Sequence, residues 1–80
     1  MKTEEEAGRF IVKLLVERFG AKPGQVLLPH FFSAEFSVAP WTPADFQNGC
    51  GFAVSRGWIE LNQFGSLKLM NKGLEALGSS

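Results

Sequence analysis

Eighty residues, 45% of them apolar and 20% charged with a formal net charge of zero, allow one domain and exclude a disordered chain. One cysteine excludes an intramolecular disulfide and a zinc cluster, and no apolar run approaches the ~20 residues of a membrane span. The acidic start, MKTEEEAGRF, has no apolar core of a secretory signal, so the expectation is a soluble cytoplasmic domain, single over residues 1–80. A chain this short buries only about 60–65% of its unfolded surface. Eight Phe and two Trp meet that demand, because each buried aromatic removes roughly 150–250 Å² from water.

Thr3 to Phe19 reads as the first helix. Thr3 and Glu6 fit a capping box, and the glutamates of the first turn suit the positive end of the helix dipole. Ala7, Phe10, Ile11, Leu14, Leu15 and Phe19 recur at three and four, forming one apolar stripe. Val12 and Val16 read as a widening of that face. Glu5 with Arg9 and Lys13 with Glu17 stand four apart on the wet side. Gly20 is placed to end the helix in a left-handed conformation.

Ala21 to Gly24 is a turn, and Gln25 to Leu28 is a brief edge strand or an extended lead-in ending at Pro29. Phe32 and Phe36, four apart, favour a short helix within 30–38, which Pro40 and Pro43 break. The next start is clearer: Thr42 caps, Pro43 takes the first helical position and Asp45 stands three beyond the cap. This helix runs to about Arg56 and stops at Gly57. Its expected inner face is Phe46, Gly49, Cys50, Ala53 and Val54. Its outer face is Gln47, Asn48, Gly51, Phe52, Ser55 and Arg56. Gly49 and Gly51 each cost about 1 kcal/mol of helix propensity, which implies close approach of a neighbouring helix or a partner.

Residues 58–61 and 67–70 are two short strands joined by a five-residue loop, with Glu60 opposite Lys68. Ile59 with Leu61, and Leu67 with Leu69, share faces. Asn71 is expected to cap a last helix over 72–77, and residues 78–80 read as a frayed tail.

The order helix, strand, helix, helix, hairpin and short last helix resembles the winged helix-turn-helix superfamily. Phe46 and Cys50 stand where such domains carry the inward residues of the recognition helix. Residues 56–61 resemble its stop and the first wing strand, and residues 67–73 resemble the second wing strand and the closing helix. In many winged helices a Thr stands at the position of Met70. The resemblance implies an α+β fold, a three-helix core with a C-terminal two-stranded β-hairpin wing and a short last helix. It also implies a DNA-binding transcriptional regulator acting as a homodimer.

Under that resemblance the 43–56 helix enters the major groove. Gln47 and Asn48 suit adenine, and Ser55 shares their face. Arg56 suits guanine or a phosphate, and Thr42 with the N–H groups at the helix start suits a phosphate. Lys68 and Lys72 flank the wing as backbone contacts. The charge distribution favours an alternative, a protein–protein interaction module that keeps the fold and does not bind DNA. Residues 23–55 contain no Lys or Arg, only Glu35 and Asp45, for a net of −2. Phe52 and Phe64 are candidate exposed aromatics for a partner interface, though Phe52 could instead fold onto Trp41. No catalytic, cofactor-binding or metal constellation stands out, so no enzyme and no cofactor are expected. Cys50 with His30 reads as a small buried thiol and a partly buried, locally hydrogen-bonded histidine, not a dyad.

Overall fold

The computed structural model describes residues 3–78. The first helix, α1 (Glu4–Lys13), starts at the expected capping box. The Thr3 hydroxyl accepts from the Glu6 N–H at 3.1 Å, and Glu6 reaches back to the Thr3 N–H. The Glu5–Arg9 pair also forms, at 3.2 Å. Over Leu14–Arg18 the helix widens into a π turn, with the Phe19 N–H donating to the Leu14 carbonyl. Gly20 then ends it at φ +64°. Val12 is fully buried and Val16 half-buried, as expected of a widened core face.

Strand β1 (Val26–Leu27) pairs antiparallel with β3 (Leu67–Leu69), which pairs antiparallel with β2 (Ile59–Leu61). The strand order is β1-β3-β2, with Glu60 opposite Lys68 as the sequence implied. The second long helix, α2 (Pro43–Ser55), lies across α1. The third, α3 (Asn71–Gly78), closes the chain. The architecture is therefore a small α+β domain of three helices and one three-stranded antiparallel sheet. None of its described helices is long and apolar enough to cross a membrane.

Three expectations are corrected. The helix expected within 30–38 is instead two single 3-10 turns, Pro29–Phe32 and Glu35–Ser37. The Ser37 hydroxyl donates to the Ser33 carbonyl at 2.7 Å, taking the acceptor that the Ser37 N–H would use in an α-helix, and that N–H donates to the Ala34 carbonyl instead. The three-helix core is thus completed by the C-terminal helix and not by this segment. Asn71 is the first residue of α3, not its cap. The Met70 carbonyl accepts from the Gly73 and Leu74 N–H groups, so the boundary falls one residue earlier. Of the expected tail, Gly78 ends α3, while residues 79 and 80 lie outside the described residues.

The core holds Ile11, Leu15, Phe32, Phe36, Ile59, Leu67 and Leu69, all essentially without exposure. The aromatics form a continuous chain. Phe10 stacks flat on Trp41, with ring centroids 4.5 Å apart. Phe36 meets the rings of Phe10, Trp41 and Phe46 at 5.3–5.4 Å. Phe32 continues the chain from Phe46 to Phe19. Gly49 is what lets α2 reach α1: a Cβ there would stand 2.8 Å from the Ala7 carbonyl carbon.

Candidate docking surface on α2 and the hairpin

The outer face of α2 is positioned by its two ends. At the start, the Thr42 hydroxyl accepts from the Asp45 N–H at 3.2 Å, and the Asp45 carboxylate accepts from the Thr42 N–H at 2.9 Å. The helix N-terminus proposed for a phosphate therefore already holds a carboxylate. At the other end Gly57, at φ +74°, turns the chain into Trp58 and β2.

Between these ends Gln47 and Asn48 are exposed, as expected. The exposed Ser55 spends its hydroxyl proton on the Phe52 carbonyl, at 2.7 Å. The cations gather at the C-terminal end. The Arg56 guanidinium lies 4.9 Å from the Phe52 ring centroid, and the Lys72 chain runs 3.2 Å from where a Cβ on Gly57 would stand. Lys68 is apart from them, half-buried between Val26 and Glu60 in the sheet register.

The two aromatic candidates separate. Phe52 is half-buried and packs edge-on against Trp58, centroids 5.5 Å apart, not against Trp41. Its Cδ1 also faces Gly8, and Arg56 covers its outer side. Phe52 therefore joins α2 to α1 and to Trp58 ahead of β2 and is not a free anchor. Phe64, by contrast, is 77% exposed at the hairpin tip.

That tip is held firmly. The Asn62 side-chain oxygen accepts from the N–H groups of Phe64 (2.8 Å) and Ser66 (3.0 Å), while the Asn62 N–H donates to the Ser66 carbonyl. Gly65 supplies φ +81°. Asn62 was not singled out in the sequence, although an Asn two residues before a loop tip is the signature of an Asx turn.

Beside the tip an open groove of about 400 Å³ runs between α2 and the hairpin. Phe46, Cys50 and Gly51 form its α2 side, Pro29 closes one end, and Leu61 and Gly65 form the hairpin side; Gln47 is on its rim. Leu61 is 43% exposed, although its alternation with Ile59 pointed inward. The hairpin projects past the core, so the inward parity of residue 61 meets the groove. Val54, expected inside, is 41% exposed, because Gly49 and Phe52 are what α2 sets against α1. No backbone or side chain approaches within 4 Å of where a Cβ on Gly51 would stand, so Gly49 alone answers the expectation of close approach.

Cys50 is buried, and desolvation pushes its thiol up to about 11. His30 is exposed, against expectation, with its ring 4.5 Å from that of Phe31. A thiol held neutral is a poor nucleophile. Because the folded chain keeps this proton more tightly than the unfolded chain, the stability it contributes is complete below pH 9 and lost as pH rises towards 11. The expected loss is about 2–3 kcal/mol over that interval. It should be read as the difference between the pH-dependent urea denaturation curves of the native chain and of Cys50→Ala. Parallel curves would contradict it.

Comparison with protein-family models, with curated proteins and with solved structures found no match for this chain.

Proposed function

We propose that this chain is a winged-helix-type docking module that binds protein, in the first instance a second copy of itself, through the face shared by α2 and the hairpin. The fold reading rests on two features: a hairpin directly following α2, and a first strand that pairs with the second hairpin strand to give the sheet order β1-β3-β2. The observation that carries the function is Phe64. It is a large apolar side chain, 77% exposed on a firmly hydrogen-bonded loop, beside an apolar groove of about 400 Å³.

Knob and groove on one face suit a two-fold arrangement, in which each copy's Phe64 enters the other's groove. Aromatic anchors in pockets dominate interface energetics. Charge argues the same way: the groove contains no cation, and Asp45 holds the start of α2. One anchor per copy implies weak association, micromolar or weaker.

Light scattering across a concentration series tests this. The apparent mass should rise from 8.8 kDa towards twice that value, and Phe64→Ser should hold it at the monomer with an unchanged melting temperature. A native chain that stays monomeric, or a Phe64→Ser chain that still dimerises, contradicts the proposal.

A second reading, a DNA-binding transcriptional regulator, is favoured by one observation: Arg56 and Lys72 converge around Gly57 at the wing side of α2. With Lys68 that makes three cations. Duplex binding through them should lose affinity with a log–log salt slope of about −3. No shift of any duplex at low salt would remove this reading and leave the first standing.

A further inference from the structure

A second cavity, of about 180 Å³, lies between α1 and α3 and shares no lining residue with the groove. Phe10 and Val12 of α1, Trp58, and Ala76 and Leu77 of α3 form its apolar walls. Its only charged lining residues are two cations, Arg9 and Lys13, one helical turn apart. Arg9 is fixed: its Nε is 3.2 Å from the Glu5 carboxylate, and its guanidinium carbon is 5.4 Å from the Trp58 ring centroid. Lys13 is exposed and pairs with no carboxylate among the described residues.

We propose that this cavity is a binding site for a small aromatic carboxylate, with the ring between Phe10, Trp58 and Leu77 and the carboxylate at Lys13. Size supports the ring: a dry cavity of about 150 Å³ accepts benzene, so this one holds a ring with one or two further carbons. The wall chemistry supports it too, since ligand sites are largely apolar with few polar groups that fix orientation. Charge decides the head group. Glu5 already pairs with Arg9, whereas Lys13 at the mouth makes no ion pair among the described residues, Glu17 one turn on included. An anion gains there and a cation is repelled, while a neutral ring gains only from the walls. The occupant is a free small molecule, because the cavity is too small for a peptide segment.

The test uses the full chain as Trp41→Phe, so that Trp58 alone reports by fluorescence, with calorimetry on the native chain. Phenylacetate is titrated against 2-phenylethanol, its neutral counterpart. The expected result is saturable binding of phenylacetate about fivefold tighter than the alcohol, the gain of one half-exposed ion pair. Lys13→Met, at an exposed position, should bring the two ligands to parity without changing the melting temperature. Ala76→Leu should fill the cavity and weaken both. Absence of saturable binding at millimolar phenylacetate, or a carboxylate preference that survives Lys13→Met, would overturn the proposal. The site stands apart from the α2–hairpin face, so loss of binding here and loss of self-association there are separately readable.

Discussion

Replacing Phe36 with Ala should remove about 3–5 kcal/mol of stability, the range for a large aromatic lost from a closed core. The ring has 1% exposure and touches three other rings, those of Phe10, Trp41 and Phe46. Those neighbours belong to α1, to the loop before α2 and to α2 itself. No single element can move to fill the void without parting from the others. A domain of 80 residues has a total stability of roughly 4–12 kcal/mol, so Phe36→Ala should remove at least a quarter of it. Urea titration followed by far-ultraviolet circular dichroism measures this. A loss below 1 kcal/mol would mean that the aromatic chain is not what joins the N-terminal half to α2.

Gly73→Ala should be the second severe change, against the helix propensity that favours it. Ala gains about 1 kcal/mol over Gly within a helix. Here its Cβ would stand 2.5 Å from the Trp58 carbonyl oxygen and 3.1 Å from Leu69 Cδ1. That carbonyl cannot yield freely, because it accepts the Met70 N–H at 3.0 Å. Overpacking against fixed backbone costs about 3 kcal/mol, so the net loss should be about 2 kcal/mol. The melting temperature should fall by roughly 8–16 °C. Gly51→Ala is the control. With open space around it, the propensity gain should appear unopposed and raise the melting temperature by a few degrees. Equal effects at the two positions would contradict the packing described for α3.

Local chemistry explains which parts of this fold were legible in the sequence. Both capping boxes, Thr3 with Glu6 and Thr42 with Asp45, are complete within four residues and formed as read. Gly20 and Gly57 took the left-handed conformations that helix ends require. The opposition of Glu60 and Lys68 followed from loop length and alternation. The segment between Pro29 and Pro40 was harder, because the spacing of Phe32 and Phe36 suits either a helix or two tight turns. What separates them is the tertiary demand of placing both rings against Phe46, which no local pattern encodes.

The docking surface was half legible for the same reason. Phe64 was identifiable as an apolar residue at a loop tip. The groove beside it combines residues 29, 46, 47, 50, 51, 61 and 65, from three separate stretches, and only the folded chain brings them together. Phe52 was misplaced because its partner, Trp58, lies beyond the Gly57 turn, whose direction sets the contact.

Paramagnetic broadening between copies tests the self-docking face most directly. A Gln63→Cys chain carrying Cys50→Ala, spin-labelled at the hairpin tip, is mixed with ¹⁵N-labelled native chain. The account predicts broadening of the Cys50, Gly51, Leu61 and Gly65 amide signals, growing with concentration and abolished when the labelled chain also carries Phe64→Ser. No intermolecular broadening at millimolar concentration, or broadening centred on α1 and α3, would contradict it.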